Sequence, residues 1–255
     1  MRFLVVKRST VILTVIAAAV LAITMSAVHY TGAAAIYNNV SPKKVPIYSV
    51  ETDEKAVALT FDAAWGAEKT LGILKTLEEK DARATFFLVS FWAEQYSDTL
   101  KTLAASDRIE IGTHSATHPY MSKLSKSQIA LELSTSKELI ESISGRSIEL
   151  FRPPYGDYSD ALIDTAKEQG LYTVQWDVDS LDWKNLSKEQ IASRIVGSCR
   201  NGSIVLMHND GKHTLEALPA VIDGLRAKGF VFKTVGELIY KDNYTIDHTG
   251  RQKRG

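Results

Sequence analysis

The sequence predicts an α/β fold in which parallel strands alternate with helices. Short apolar segments alternate with longer segments of helical periodicity, and this order is typical of parallel strands joined by helical crossovers. Several helical patterns end at glycine, as at Gly145, Gly170 and Gly229, which suits a left-handed helix C-terminus. Polar side chains follow the apolar segments. A seven- or eight-stranded barrel and an open doubly wound sheet both fit this pattern.

Strands and helices are predicted to follow one another in pairs. The strands are expected at 57–61, 85–89, 109–112, 149–151, 172–176, 203–207 and 230–232. The helices are expected at 67–79, 92–105, 126–144, 159–169, 188–200, 214–228 and 235–239.

The N-terminus has the composition of a membrane-spanning helix. Arg2, Lys7 and Arg8 precede an uncharged apolar run over 10–28, close to the roughly 20 residues that cross a bilayer. Residues 1–30 are therefore predicted to form a transmembrane signal-anchor helix. The positive charges place the rest of the chain outside the cytoplasmic membrane. The alternative is a secreted protein whose signal peptide is cleaved at the small residues 33–35.

Three further segments are predicted from composition. Residues 31–50 contain turn-forming residues without periodicity and are expected to be a linker. Residues 51–240 form one domain, and 241–255 form a polar, frayed tail. Thirty basic and thirty acidic residues give zero net charge, so no global field attracts nucleic acid. The single cysteine, Cys199, is expected to be a small buried hydrophobe.

The residues best suited to catalysis or metal binding lie directly after predicted strands. In α/β folds the carboxyl ends of the strands meet at the edge that holds the active site. Five strands ending in this way predict a site at that edge. These residues are Asp62, His114, His118, Arg152, Asp177, Asp179 and His208.

His114 and His118 have the spacing of a metal-binding pair. On a helical turn, residues four apart share one face, so both imidazoles can reach one ion. Such a pair suits a divalent transition metal, with zinc as the expected cofactor. Two histidines capping a loop are the alternative, but the neighbouring Asp62 and His208 favour the metal site.

Two acid–base pairs are predicted among the same residues. Arg152 beside Asp62 would keep that carboxylate ionised and oriented, as a general base requires. Asp179 beside His208 would fix the imidazole tautomer and favour the charged ring, which suits a general acid. The alternatives are an N-cap role for Asp62 and surface salt bridges for Arg152 and Asp179.

The loop at 151–156 is predicted to be rigid, because two prolines fix φ. Such a loop can aim a backbone N–H at a developing oxyanion. Tyr155, Trp183, Trp65 and Trp92 can supply flat apolar surface for a sugar face. Each of these aromatic residues fits ordinary core or rim positions equally well.

Five motifs together resemble the polysaccharide deacetylase family, also known as the NodB-homology or carbohydrate esterase family 4 group. They are TFDA at 60–63, HSATH at 114–118, RPPYG at 152–156, DSLDW at 179–183 and LMH at 206–208. They occur in the family's order, and the resemblance extends over about residues 56–238. It implies a distorted (β/α) barrel with about seven parallel strands that hydrolyses N-acetyl groups on an amino sugar polymer.

The resemblance also implies a role for each residue. Asp62 would be the base that activates a metal-bound water, and Arg152 would hold it. His208 would protonate the leaving amine, with Asp179 orienting it. The metal ligands would be His114 and His118, and the oxyanion and substrate contacts would come from Tyr155 and Trp183.

One position departs from the family pattern. The family's second aspartate, its third metal ligand, is replaced by Ala63, which cannot coordinate a metal. The expected function is metal-dependent deacetylation of a cell-wall glycan, with peptidoglycan as the substrate and sporulation as one setting. The first alternative is a wall-binding or scaffold homologue that lost the metal, and the second is a hydrolase of another acyl amide. The expected partners are the cell-wall glycan and the membrane, not nucleic acid.

Overall fold

The computed structural model describes residues 7–39 and 43–255 of the chain. The described residues belong to two compact units, within 1–43 and 44–255. Arg2, predicted to flank the membrane helix, lies outside the described residues.

The first unit contains helix α1 (Arg8–Asn39). Its segment Arg8–Ala27 has a mean hydropathy of 2.3, is long enough to cross a membrane and is not buried in the protein. The helix continues through 31–39, so the linker predicted from residue 31 is wrong there. Alanines at 33–35 favour helix. The linker prediction rests on the glycine and asparagines of this segment, which have lower helix propensity.

The second unit is built on one sheet of eleven strands. They are β1 (Ser49–Val50), β2 (Ala56–Ala63), β3 (Ala84–Leu88), β4 (Ile109–Thr113), β5 (Leu150–Phe151), β6 (Tyr172–Thr173), β7 (Val178–Asp179), β8 (Ser203–His208), β9 (Val231–Phe232), β10 (Tyr244–Ile246) and β11 (Arg251–Arg254). The strands from β2 to β9 pair in parallel. The predicted α/β class with a parallel sheet is confirmed, and the sheet curves as a half-barrel.

Eight helices of this unit connect the strands. They are α2 (Thr70–Glu79), α3 (Ser90–Gln95), α4 (Ser97–Ala105), α5 (Lys126–Ser144), α6 (Asp160–Glu168), α7 (Lys188–Ser198), α8 (Thr214–Ala227) and α9 (Val235–Leu238). The helix predicted at 92–105 is two helices, because Tyr96 between them has non-helical dihedrals (φ −114°, ψ 41°). Helix α5 begins with a Ser125–Gln128 capping box and ends at Gly145 with φ 66°, as its sequence predicts.

Strand β2 lies at the centre of the sheet and sets the geometry of the site. All eight of its residues are buried, and it pairs with both β3 and β8. In this register Asp62 lies opposite Phe87 on one side and His208 on the other. Paired residues point to the same face of a sheet, so the sheet itself places Asp62 beside His208.

The C-terminal segment is ordered and part of the sheet. The frayed tail predicted for 241–255 is wrong, because β11 pairs with both β1 and β10. Gln252 is fully buried, and its side-chain amide both accepts from and donates to the backbone of Tyr240, at 2.8 and 2.7 Å. Strand β11 contains no apolar residue, so it lacks the hydrophobic alternation by which strands are recognised.

The second unit also begins earlier than predicted. Ile47 and Val50 are 2% and 0% exposed, so residues 44–50 belong to the folded unit and not to a linker. Cys199 is a free thiol, partly buried against the core.

Candidate active site

A cleft of about 550 Å³ opens at the carboxyl ends of the central strands. Eight residues are predicted to act in catalysis, metal binding or substrate contact. Seven of them line this cleft, and the eighth, Arg152, is fully buried behind Asp62. Asp177 does not line the cleft. Its carboxylate accepts the backbone N–H of Ile204 and the hydroxyl of Ser203. The lining residues are Asp62, Ala64, Trp65, His114, His118, Tyr155, Trp176, Asp179, Trp183, Leu206, His208 and Asp210.

Asp62 is held by the guanidinium of Arg152. Nη1 of Arg152 donates to Asp62 Oδ1 at 2.8 Å and to the Thr60 hydroxyl at 2.7 Å, and Nη2 donates to the carbonyl of Gln175 at 3.1 Å. Helix α2 begins at Thr70, so Asp62 is not its N-cap. Burial raises the pKa of a carboxyl, but the charge and hydrogen bond of Arg152 hold the pKa of Asp62 below its usual value. Asp62 is therefore an ionised, fixed carboxylate.

His208 is paired with Asp182 and not with Asp179. Nδ1 of His208 lies 2.7 Å from Asp182 Oδ1, and the Asp182 side chain is fully buried. Burial lowers the pKa of an imidazole, but the hydrogen bond and charge of Asp182 raise the pKa of His208 above its usual value. The predicted orienting role of Asp179 is therefore wrong. The correct residue is the second aspartate of the same DSLDW motif.

Asp179 has a different place in the cleft. Its Oδ1 accepts the backbone N–H of Leu181 at 2.8 Å, which stabilises the turn leading to Asp182. Asp179 also lines the cleft, and its charge contributes to the raised pKa of His208. Sequence could not separate the two aspartates, because Asp179 ends β7 and Asp182 comes only three residues later. Leu181 with φ 55° directs the chain so that Asp182 turns inward.

Three further groups fix Asp182. Its Oδ2 accepts the backbone N–H of His208 at 2.8 Å and the hydroxyl of Thr214 at 2.6 Å. A Cβ on Gly211 would lie 2.8 Å from Asp182 Oδ2 and 2.2 Å from the Thr214 hydroxyl. The absence of a side chain at Gly211 is therefore required for this closed arrangement.

His114 and His118 lie together beside Asp62. Their ring centroids are 4.9 Å apart. The helical turn that was predicted to join them is absent. The connecting residues form a turn in which Ser115 and His118 have positive φ, 74° and 59°. Burial lowers the pKa of both imidazoles, that of His118 to about 4. Both rings are therefore neutral at neutral pH, the form that binds metals.

The free nitrogens of these two rings fit a metal ion. Nδ1 of His114 is 2.7 Å from the carbonyl oxygen of Arg152, and since a carbonyl only accepts, Nδ1 carries the proton. Nε2 then presents a lone pair 3.6 Å from Asp62 Oδ2, and a cation beside them would relieve the repulsion between the two atoms. Nδ1 of His118 is buried without a hydrogen-bond partner among the described residues.

The ligand set is nevertheless incomplete. Within residues 7–39 and 43–255, no three histidine, cysteine, aspartate or glutamate side chains are grouped to hold a metal. Ala63 is fully buried and packs in the hydrophobic core. The protein therefore offers a metal two imidazoles and no third ligand at position 63.

Aromatic side chains surround the cleft. Tyr155 has a left-handed backbone (φ 59°) inside the rigid loop predicted at 151–156, and its ring contacts His118 at 4.6 Å. Trp65 and Trp183 are each more than half exposed. Trp92 is instead a core residue, fully buried, with its indole N–H bonded to the carbonyl of Gly66.

The chain is similar in sequence to a family of deacetylases and to individual bacterial proteins. A sequence model of the family Polysaccharide deacetylase matches residues 49–174. The chain is 35% identical over 211 residues to the uncharacterized protein YlxY of Bacillus subtilis, covering 80% of this chain and 66% of that protein. It is 34% identical over 197 residues to a peptidoglycan-N-acetylglucosamine deacetylase of Bacillus cereus, covering 75% of this chain and 92% of that protein.

A solved structure extends the similarity to nearly the whole folded unit. BA3943 from Bacillus anthracis, described as a CE4 family pseudoenzyme, superposes with a TM-score of 0.74 and 32% identity. The match covers 86% of this chain and 72% of that one. A mutant of BA3943 is described as having restored enzymatic activity. The similar proteins thus include both a named deacetylase and a named pseudoenzyme.

Proposed function

Because the chain belongs to the polysaccharide deacetylase family, we propose that it hydrolyses N-acetyl groups on the amino sugars of peptidoglycan. One observation carries this proposal: two proton-handling pairs of opposite character face the same cleft. Asp62, fixed by Arg152, has a lowered pKa, whereas His208, fixed by Asp182, has a raised pKa. Groups whose environments push their pKa values apart suit a base and an acid of one reaction.

The two pairs account for every proton in the hydrolysis. Asp62 takes a proton from a water molecule as its oxygen attacks the acetyl carbonyl carbon. His208 gives its proton to the amide nitrogen as the C–N bond breaks. The products are a free amino sugar and acetic acid, which ionises to acetate. Asp62 then gives its proton to solvent and His208 takes up a proton from solvent, which restores the site.

A divalent metal fits this proposal as a cofactor held by His114 and His118. When bound, it would polarise the carbonyl and lower the pKa of water. Zinc suits two neutral imidazoles. With Ala63 in place of a third ligand, we expect this metal to bind weakly.

The second candidate function is a wall-binding protein with little or no catalysis. It is favoured by the incomplete ligand set at Ala63 and by the similarity to a described pseudoenzyme. It is opposed by the retention of both proton-handling pairs, since glycan binding alone does not need a tuned acid and base.

One experiment separates the two candidates. Acetate release from purified peptidoglycan and from chitooligosaccharides is measured for the wild type and for Asp62→Asn, with chelator and after zinc is added back. Sedimentation with insoluble peptidoglycan is measured in parallel. Acetate release that requires Asp62 supports the deacetylase, and deacetylated sugars in the digest identify the target. Sedimentation without acetate release supports the wall-binding protein.

We further propose that the folded unit works outside the membrane, attached through α1. The apolar segment Arg8–Ala27 and cell-wall-directed relatives support this location. The role in sporulation stays a prediction, which the wall composition of spores from a deletion strain would test.

A further inference from the structure

The aromatic surface of the cleft continues beyond the residues that line it. Tyr120 stacks on Tyr155, with ring centroids 4.3 Å apart and ring planes 16° apart. Tyr120 and Tyr155 are 49% and 56% exposed. Because Tyr155 contacts His118, this stack extends exposed apolar surface outward from the reaction centre.

The stacked pair of Tyr120 and Tyr155, here called the platform, is held rigidly in place. Next to Tyr120, Met121 is fully buried in the core. Ser122 donates its backbone N–H and its hydroxyl to the two carboxylate oxygens of Asp157, at 2.8 and 2.7 Å. Asp157 follows directly after the RPPYG loop, so the Tyr120 segment is fixed to the loop that carries Tyr155. A rigid aromatic surface loses little entropy when a ligand stacks on it.

A lysine lies over an aromatic ring on each of two turns at the cleft. Nζ of Lys123 is 4.6 Å from the ring centroid of Tyr120, and Nζ of Lys184 is 4.8 Å from that of Trp183. Both lysines are exposed. Within the part of the chain that the structure describes, neither forms an ion pair, although fourteen other lysine and arginine side chains do.

The acidic groups of the cleft do not use these two cations. Asp62 is paired with Arg152, and Asp182 is paired with His208. Asp179 is bonded to the N–H of Leu181, and Asp210, which also lines the cleft, forms no ion pair with either lysine among the described residues. The charges of Lys123 and Lys184 therefore remain available to a ligand lying across the cleft.

We propose that Tyr120 with Lys123, and Trp183 with Lys184, form two subsites for a glycan that carries carboxylates. Sugar rings pack against the exposed parts of these aromatic side chains, and the ammonium groups pair with carboxylates on the sugar substituents. Peptidoglycan has such carboxylates on its stem peptides and on lactyl ethers that carry no peptide, whereas chitin has none. This inference rests on the proposed glycan ligand and makes peptidoglycan the selected substrate through charge.

The test compares two forms of the same peptidoglycan fragments that differ only in charge, together with a glycan that has no carboxylates. Calorimetry measures binding of the full-length protein, in detergent with chelator, to soluble peptidoglycan fragments, to the same fragments with amidated carboxylates, and to chitooligosaccharides. We expect the wild type to prefer the carboxylate form and to lose that preference as salt increases. Lys123→Gln and Lys184→Gln should each weaken only the carboxylate form, about two- to fivefold, as for an exposed ion pair.

The controls make the outcome decisive. Lys101→Gln, on α4, should change no affinity, and Tyr120→Ala should weaken all three ligands. Equal binding of native and amidated fragments, or binding of none, would overturn the inference. If the charge preference holds without acetate release, the proposed hydrolysis fails and the subsites stand. If acetate is released without charge preference, only the subsites fail.

Discussion

Oδ1 of Asp182 lies 2.7 Å from Nδ1 of His208. The Asp182 side chain is fully buried, whereas that of His208 is 30% exposed. Asp182 follows β7 and His208 ends β8, and the parallel pairing of these strands brings the two residues together. The backbone N–H of His208 and the hydroxyl of Thr214 occupy the other carboxylate oxygen. Asp182 therefore fixes the orientation of the His208 ring and is the main group that raises the pKa of His208.

The first prediction tests this pairing. Asp182→Asn should reduce acetate release by about 10²- to 10⁴-fold, because the amide neither favours the charged imidazole nor holds its tautomer. Asp179→Asn is the matched control, since Asp179 lies in the same motif without contacting His208. A larger loss in Asp179→Asn than in Asp182→Asn would restore the role expected from the sequence.

The second prediction concerns pH. His208 must be protonated and Asp62 ionised, so activity should fall as the pH rises through the raised pKa of His208 and as it falls through the lowered pKa of Asp62. The alkaline limb should therefore lie above the ordinary histidine value of about 6.5. If the Asp182→Asn variant keeps residual activity, the alkaline limb of its pH profile should lie at lower pH than that of the wild type. A rate profile against pH measures both limbs.

The same pair should influence stability. The folded state raises the pKa of His208 and lowers that of Asp182. The stabilisation is therefore present between these two values, and is lost as the pH rises through the first or falls through the second. The free energy of unfolding of Asp182→Asn relative to wild type should show the largest difference within this window. A constant difference across pH would mean that packing dominates.

The third prediction concerns the base. Asp62→Asn should lower acetate release by about 10²- to 10⁴-fold while the protein remains folded, because an amide cannot accept the proton from water. Asp210→Asn changes another aspartate of the same cleft and should have a much smaller effect. Thermal unfolding checks both variants. Near-normal turnover in folded Asp62→Asn would remove Asp62 from the reaction.

Much of the site could be predicted because position along strands is visible in sequence. An apolar run followed by a polar residue locates a strand end, and parallel strands gather their ends at one edge. That argument places Asp62, His114, Arg152 and His208 together without knowledge of any contact. The opposite charges of Arg152 and Asp62 predicted that the two would pair, and they form a hydrogen bond in the structure.

What could not be predicted depends on side-chain direction within loops. Asp179 and Asp182 are separated by one turn, and the positive φ of Leu181 decides which of them faces His208. The positive φ of His118 likewise brings the two imidazoles together where a helical turn was expected. Sequence also missed the platform residue Tyr120, because its partner Tyr155 lies 35 residues away.

The fourth prediction concerns the N-terminal helix. The protein should remain in the membrane fraction with its N-terminus uncleaved, because the apolar segment Arg8–Ala27 is long enough to span a bilayer. Fractionation followed by N-terminal sequencing measures this. Extraction by detergent but not by high salt would support insertion. A soluble form beginning near residue 36 would show that the segment is a cleaved signal peptide.

The last prediction concerns Ala63, which ends β2 next to Asp62. Ala63→Asp places a carboxylate beside the strand end from which Asp62 reaches His114. A His₂–carboxylate set suits zinc, and even indirect partners of a metal change affinity about 10- to 100-fold. We therefore expect at least such a gain in zinc affinity, measured by competition with a chelator at fixed pH, because the ligands must be deprotonated.

The burial of Ala63 sharpens this test. Its side chain is fully buried in the core, so an aspartate there without metal leaves a buried, unpaired carboxylate that destabilises the fold. Zinc should then raise the unfolding temperature of Ala63→Asp more than that of the wild type. Ala64→Asp is the matched control, since Ala64 lines the cleft one residue further on. Equal zinc affinities of wild type and Ala63→Asp, with a less stable variant, would mean that the carboxylate stays in the core and that position 63 does not serve the metal.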